Sequence, residues 1–448
     1  MIKYYPSHKN ILRKYKDICA HQTGILDSII VMQANSIISN KVNTCTTMLP
    51  DYHKILLGDD AQINYHLSGY GINRDEAIIR LLGEGIERYA LFIANLYFEE
   101  KLKYTSYNNL KEKYPNKVIP FEYIKIYNDD DCNNLNKIGI LENIDENSIL
   151  SWILLPSVFD KEKEYYIPAQ NFFLSHIVKK EKNEKHFISG FSKGSASHKN
   201  IHLALKSALL EIIECDACMI KWYTNQKVKE VVIDDSILND IINPILEDIN
   251  YTIRVFDYTV DKNLGYVFNV TLINNIEKFP YIVVGASSGL NPSKAIYRAF
   301  MEALAILTLN INGPLAMPAD YLETVYEKNY LNLDTNVHYW GSLDDKEKKI
   351  EFLNKSIEEK VLFSTYKNIE VNTEKDLELL LKGLNNISKY AVYLDITPVE
   401  IIDSGLKVMR VYVPELVQMS MPAFPYSSHP RILENGGISQ NEFPHPLP

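Results

Sequence analysis

The sequence predicts an α/β fold with mixed sheets, in which repeated units of strand, Gly/Ser turn and helix surround one site. Three observations carry this expectation. A set of residues recurs along the chain at fixed spacing, short alternating β-branched runs stand before and between the copies, and the helices after the turns are apolar apart from a few charged groups.

Gly71-Ile72-Asn73, Ala77-Ile78, Arg80 and Glu84 recur as Gly289-Leu290-Asn291, Ala295-Ile296, Arg298 and Glu302, with every spacing the same. A looser copy runs from Gly190 and Gly194 through Ala204 to Glu211, again with an Ala seven residues before the Glu. Each copy opens on small residues: Ser68-Gly69-Tyr70-Gly71, then Ser189 to Ser195, then Gly285-Ala286-Ser287-Ser288-Gly289. An extended run such as Tyr281-Ile282-Val283-Val284 precedes them in the first and third copies, so the unit is strand, Gly/Ser turn, helix. Further strands are predicted at Tyr251 to Asp257, Leu264 to Ile273, Ala391 to Ile396 and Lys407 to Val413. Three polar stretches, Tyr104 to Lys117, Lys179 to Lys185 and Asp344 to Lys349, are expected to be surface loops or insertions.

The 448 residues are 46% apolar, 23% charged and 11% aromatic, the composition of an ordinary folded protein rather than a disordered, collagen-like or disulfide-scaffold chain. A net charge of −10 without a basic block argues against nucleic acid as a partner. No apolar run is long enough to span a membrane and the start lacks a signal-peptide pattern, so a cytoplasmic protein without a membrane partner is expected. The five cysteines are scattered, and Cys215-Asp216-Ala217-Cys218 lies within a helical pattern with no second pair to complete a zinc site.

The chemistry is expected on the helices. From Ala204 to Tyr223, the strongly polar residues between Ala208 and Ile220 are Glu211, Glu214 and Asp216, on a helix apolar on nearly all sides and hence buried. Buried carboxylates need a cation or donors, so something positive should sit there. Glu211 and Glu214 share a helical face by their spacing, and Glu84 and Glu87 repeat it. The third helix, Ala295 to Leu307, carries Tyr297, Arg298 and Glu302 as its polar groups. Oxygen-only ligands suit Mg²⁺ held together with phosphates, and Gly/Ser turns at helix starts suit the phosphates themselves. Lys193 and Arg298 could neutralise phosphate oxygens. Taken alone, Glu-x-x-Glu is usually a solvated helix face, and the row Arg80, Glu84, Arg88 fits that description; its recurrence in apolar surroundings argues for a Mg-nucleotide site. His198 and His202, four apart without a third ligand, are expected to be solvated histidines. No G-x-x-x-x-G-K-[ST] or kinase signature is present. The tail Phe443-Pro444-His445-Pro446-Leu447-Pro448 has the alternation of a polyproline II ligand or a disordered end.

These residues resemble the YcaO family of ATP-using enzymes that activate backbone amides. The resemblance covers residues 61–448 and rests on Glu84-Gly-Ile-Glu87-Arg88, on Gly190-Phe-Ser-Lys-Gly194 leading to Glu211-Ile-Ile-Glu214-Cys215-Asp216-Ala217, on Arg298-Ala-Phe-Met-Glu302, and on the closing Pro444, Pro446 and Pro448. It implies a YcaO-like fold around a central Mg-ATP site, with residues 1–60 an N-terminal segment for partner docking. Within the family a terminal P-x-P-x-P looks most like the azoline-forming cyclodehydratases of streptolysin S-type peptide biosynthesis, which convert Cys, Ser or Thr of a ribosomal precursor peptide to thiazoline or oxazoline. There the side chain attacks the preceding amide carbon, ATP phosphorylates the amide oxygen, and phosphate leaves.

By the same resemblance Glu84, Glu87, Glu211, Glu214 and Glu302 hold Mg²⁺ and ATP, Arg298 contacts phosphate, Ser68 and Ser207 contact the nucleotide, and the tail ending at Pro448 helps move a proton. Arg80, Cys215 and Ala305 depart from the residues common in the family at their positions. A separate E1-like, leader-binding protein and a flavin-dependent dehydrogenase are implied as partners, and two copies could pair as a homodimer. Two alternatives stand beside this reading: a non-catalytic docking scaffold of a synthetase complex, and a YcaO enzyme making a thioamide or amidine.

Overall fold

The computed structural model describes residues 39–58, 66–316, 333–439 and 443–447, with short pieces at 13, 18–19, 24–26 and 30–33. Among the described residues the strands form four sheets. β1 (Ile30–Gln33), β2 (Asn43–Met48) and β3 (His66–Gly71) make an antiparallel sheet, and β4 (Lys103–Ser106), β5 (Ile149–Pro156) and β6 (Glu164–Pro168) make another. β7 (Ser195–His198) waits for partners late in the chain. β8 (Val228–Val232), β9 (Tyr251–Asp257), β10 (Tyr266–Asn274), β11 (Ile282–Gly289) and β12 (Ile357–Leu362) form a five-stranded sheet in the order β11-β10-β9-β8-β12, with β12 parallel to β8. β13 (Val392–Asp395) and β14 (Lys407–Tyr412) complete a sheet with β7. The four strands predicted outside the repeat are all present within two residues of their expected bounds.

Three long helices follow three of these strands: α1 (Arg74–Phe98) after β3, α2 (Ile201–Tyr223) after β7 and α3 (Pro292–Ala316) after β11. Their starts are locally determined. The Asn200 side chain caps α2 by accepting from the His202 N–H, and Pro292 opens α3, where its missing N–H costs nothing. Each helix packs on its own strand and on the strand of the next unit: α1 on β3 and β7, α2 on β7 and β11, α3 on β11 and back on β3. The three units therefore close into a ring. Alternate residues of β10 and β11 face two cores, Val267, Ile282 and Val284 in the larger and Phe268, Val270, Leu272 and Val283 in the one shared with α3.

The small residues of the first and third copies are strand ends rather than turns, since β3 runs through Gly71 and β11 through Gly289. Close packing explains them: a Cβ on Gly69 would lie 1.9 Å from the Ala77 carbonyl oxygen, and one on Gly285 2.3 Å from that of Ala299. The polar stretches are likewise more ordered than expected. Tyr104 to Lys117 contains part of β4 and the helix Tyr107–Lys113, and Asp344 to Lys349 leads into the helix Lys346–Lys355, with the Lys349 side chain fully buried. Lys179 to Lys185 carries a single 3₁₀ turn at Lys180–Lys182 and the buried Glu184.

Candidate active site

The ring geometry brings the glutamates of α1, α2 and α3 together, and each is held in a regular way. The first glutamate of every helix accepts from a backbone N–H of its own strand 16 residues earlier: Ser68 N to Glu84 at 3.3 Å, Ser195 N to Glu211 at 3.3 Å and Ala286 N to Glu302 at 2.7 Å. Gly194 N adds a second bond to Glu211 at 2.8 Å. The second glutamate reaches the next unit's strand: Glu87 accepts from the Ser195 hydroxyl at 2.6 Å, and Glu214 from Ser288 N at 3.1 Å. In α3 the equivalent position is Ala305, so the ring carries two carboxylates, two and one.

In Glu84, Glu211, Glu214 and Glu302 the backbone holds Oε2, leaving Oε1 for other partners. Arg88 lies 3.6 Å from Glu84 Oε1, and the Lys193 ammonium sits 3.7 Å from Glu211 Oε1 and 3.6 Å from Glu214 Oε1. Among the described residues Glu87 and Glu302 have no ion pair. The side chains are surrounded by protein yet reachable, with Glu84 33% and Glu211 26% exposed.

The electrostatics follow from this crowding. Burial pushes the Glu87 carboxyl up to about 8, with Glu211 adding to the effect and Arg88 opposing it. Burial takes Glu214 up to about 8 as well, against Lys193, and also raises Glu84 and Glu302. Burial works against charge on Lys193, but Glu214, Glu211 and Glu302 outweigh it and hold the ammonium well above an ordinary lysine. Five carboxylates thus face more negative charge than Lys193 and Arg88 cover, and hard oxygen donors with unmet charge suit a magnesium ion. Among the described residues no three His, Cys, Asp or Glu side chains stand close enough to hold a metal ion by themselves.

The other expected residues divide. Arg298, one turn before Glu302, is exposed and without an ion pair among the described residues, whereas its repeat partner Arg80 is paired to Glu76 at 2.7 Å and stacked over Tyr70. Ser207, one turn before Glu211, is exposed. Asp216 faces away from the glutamates, where Arg431 grips it with contacts of 2.7, 2.9 and 2.7 Å. Cys215 and Cys218 are buried free thiols that burial pushes well above their usual pKa. His198 and His202 do not share a helical face, because His198 ends β7; it is half-buried, while His202 is exposed.

The tail is neither disordered nor a free ligand. Phe443 is buried against Trp340 and Phe352, the Trp222 indole donates to the Phe443 carbonyl at 3.3 Å and the Trp340 indole to that of Pro444 at 2.8 Å. The Asn336 amide donates to the carbonyls of His445 and Leu447. Pro444 and Pro446 are thereby fixed beside the C-terminal end of α2; Pro448 lies outside the described residues.

Two residues went unnoticed in the sequence. Arg431 neutralises Asp216, and Arg410 of β14 donates to the carbonyls of Phe191 at 2.8 Å, Ser192 at 2.7 Å and Lys193 at 2.6 Å, shaping the loop that carries Lys193. Neither has a local signal, since each partner is some 200 residues away, 215 for Asp216 and 217 for Lys193.

A family model described as YcaO cyclodehydratase, ATP- and Mg²⁺-binding, matches residues 68–417, and the chain belongs to this family. ATP and Mg²⁺ are accordingly the cofactors of its class. No curated protein matches the chain in sequence. Three solved structures share the fold. A heterocyclase in complex with substrate and cofactor has a TM-score of 0.72 at 16% identity over 98% of this chain, which spans only 57% of that protein. YcaO from Methanopyrus kandleri bound with AMPPCP and Mg²⁺ has a TM-score of 0.64 at 13% identity, covering 98% of this chain and 96% of its own. The E. coli microcin synthetase McbBCD complex contains a chain with a TM-score of 0.59 at 13% identity, covering 96% and 98%. Among the described residues no helix is long and apolar enough to cross a membrane.

Proposed function

We propose that the chain is an ATP-dependent cyclodehydratase that converts Cys, Ser or Thr of a ribosomally made precursor peptide to thiazoline or (methyl)oxazoline, in bacteriocin- or cytolysin-type biosynthesis. The observation that carries this reading is the set of five carboxylates that three helices direct to one region, with too few cations to neutralise them. Glu84, Glu87, Glu211, Glu214 and Glu302 would hold Mg²⁺ and, through it, the nucleotide. Arg298, exposed and without an ion pair among the described residues one turn from Glu302, is the group for phosphate. Ser68 has given its N–H to Glu84 and keeps its hydroxyl for the nucleotide, and Ser207 extends the same face of α2 as Glu211.

ATP, when bound, supplies the phosphoryl group that turns an amide oxygen into a leaving group. The chain's task is then to fix the acceptor and move protons. Backbone-tethered carboxylates keep their geometry without reorganisation. The tail that contains Pro444 and Pro446 is held by Trp222, Trp340 and Asn336, and in this reading the P-x-P-x-P segment through Pro448 would help move the proton lost as the ring closes. A separate leader-binding, E1-like partner would deliver the peptide and a flavin-dependent dehydrogenase would act on the product; the microcin synthetase, a complex solved with pro-MccB17 bound, supports a multi-chain assembly of this kind.

Calorimetric titration of ATP with Mg²⁺ tests the site. Binding should vanish with EDTA and in a Glu84→Ala, Glu302→Ala double variant. Reconstitution with the leader-binding partner should then remove one water from the precursor per ring formed. Binding that survives the double variant would overturn the assignment.

A further inference from the structure

The tail must be held mainly through its carbonyls, because Pro444, Pro446 and Pro448 have no N–H to give. The Trp222 and Trp340 indoles hold those of Phe443 and Pro444. Beyond Pro444 the carbonyls are taken by Asn336, which stands four residues before Trp340 on the helix Leu333–Gly341 and so on the same face of it. Its amide nitrogen donates to the His445 carbonyl, to the Leu447 carbonyl at 2.9 Å and to Nδ1 of the His445 ring at 3.3 Å. The other ring nitrogen, Nε2, donates to the Ser420 carbonyl at 3.1 Å, and the Tyr223 ring meets the imidazole edge-on with centroids 6.1 Å apart. These partners assign the tautomer: the Ser420 carbonyl requires the proton on Nε2, and the Asn336 amide requires Nδ1 bare. Burial keeps the ring neutral, with its pKa pushed down to about 4.

Asn336 is a costly choice for packing alone. It is fully buried, and because its nitrogen faces the tail carbonyls its Oδ1 faces away and meets no donor among the described residues. An apolar side chain of the same shape would avoid that desolvation. What the position uses is therefore the pair of amide N–H bonds. We propose that Asn336 and His445 form a register lock for the tail, and that the two are positioning residues of the cyclodehydration, fixing where the segment after Pro444 lies. This inference rests on the reading of the tail as a participant in ring closure. Its logic is one of register. The indoles fix Phe443 and Pro444, and an extended proline-rich segment has no hydrogen bonds of its own to carry that order further. The placing of Leu447 then depends on the bonds from Asn336 and on the seat of His445 between Asn336, Ser420 and Tyr223.

The test separates seating from chemistry. Hydrogen exchange of the C-terminal peptide is followed by mass spectrometry on the full chain alone, where His445 and Leu447 carry the only N–H groups after Phe443. The parent is compared with Asn336→Leu, His445→Leu, the double variant and His445→Asn. For the same set, kcat and KM of ring formation are measured in the reconstituted system and ATP affinity by calorimetry. Each single leucine variant should speed exchange and lower kcat roughly tenfold, with precursor KM and ATP affinity within about a factor of two of the parent. The double variant should be no worse than the worse single, as for two halves of one lock, rather than showing the roughly hundredfold product of independent sites. His445→Asn, whose side-chain oxygen can stand in for Nδ1, should recover part of both losses. Faster exchange with an unchanged kcat overturns the positioning role. Losses in kcat that multiply, or that come with equal losses of ATP affinity, overturn it too and make the pair packing residues. Should Asn336→Leu not fold, the tail side decides: kcat should fall in the order parent, His445→Asn, His445→Leu, and equal losses in the two variants overturn the lock. A parent that forms no ring removes the cyclodehydratase reading instead, and the exchange rates then still decide whether Asn336 and His445 hold the tail.

Discussion

Asp216 and Glu214 stand two residues apart on α2, both surrounded by protein, and they are treated in opposite ways. Arg431 meets Asp216 with three contacts of 2.7–2.9 Å while Val417 N adds another at 2.9 Å, so both carboxylate oxygens have donors, although burial still raises the Asp216 carboxyl above its usual range against Arg431. Burial works against the Arg431 guanidinium, yet Asp216 outweighs it and raises its pKa further. Glu214 has one backbone donor and a share of an ammonium at 3.6 Å. A buried acid that is fully compensated is finished as a structural element; one left short of cations still has electrostatic free energy to gain from a ligand. The two faces of one helix thus separate fold from site.

The largest effect should come from breaking the finished face. Asp216→Ala leaves the Arg431 guanidinium largely buried and unpaired, and should cost about 3–5 kcal/mol of folding stability in urea titration. If the same loss appeared for Glu214→Gln, the distinction between the faces would collapse; that variant should stay within about 1 kcal/mol of the parent at neutral pH, because burial already keeps the Glu214 carboxyl protonated in the metal-free chain and the amide matches its shape.

Activity should move the other way. Glu211→Ala, Glu214→Gln and Glu302→Gln should each lower ring formation in the reconstituted system at least ~100-fold, about 2.7 kcal/mol of transition-state stabilisation, with partner binding unchanged. Retained turnover in any of them would take that residue out of the site. A smaller and more selective loss is expected at the tail. Deleting Leu447 and Pro448 should reduce cyclisation roughly tenfold, about 1.4 kcal/mol, while ATP affinity measured by calorimetry stays within a factor of two. Equal losses would make the tail a packing element only.

Much of this contrast could be read from the chain before folding. The Glu84/Glu87 and Glu211/Glu214 spacings, the copy at Glu302 and the apolar surroundings of α2 are local patterns, and helical periodicity translates them directly into a shared face. What the pattern could not say is which buried acid is already neutralised, because Arg431 and Arg410 come from the far end of the chain and the pairing is purely tertiary. The Gly/Ser runs misled for a related reason. Their small size serves close packing of a helix against a strand end, at Gly69 and Gly285, and not a turn, and local propensity does not distinguish those uses. The tail misled most, since alternating prolines say nothing about the tryptophan indoles waiting for their carbonyls.

The gentlest way to sharpen the comparison is pH. Glu87 and Glu214, raised from 4.5 to about 8 chiefly by burial, hold protons in the folded, metal-free chain over a range where the unfolded chain has lost them. The folded state then binds more protons than the unfolded one between about pH 4.5 and 8, so metal-free stability should fall as pH rises through that window. Metal needs the ionised carboxylates, so Mg²⁺ affinity should do the reverse, rising up to about tenfold per unit for each proton displaced between pH 7 and 8 and levelling above 8, with proton release on binding at pH 7. Paired calorimetry in two buffers of different ionisation enthalpy measures that release. A Mg²⁺ affinity that is flat from pH 6.5 to 8.5, with no protons released, would mean that Glu87 and Glu214 are not held protonated in the metal-free chain, and the division between the two faces of α2 would fail.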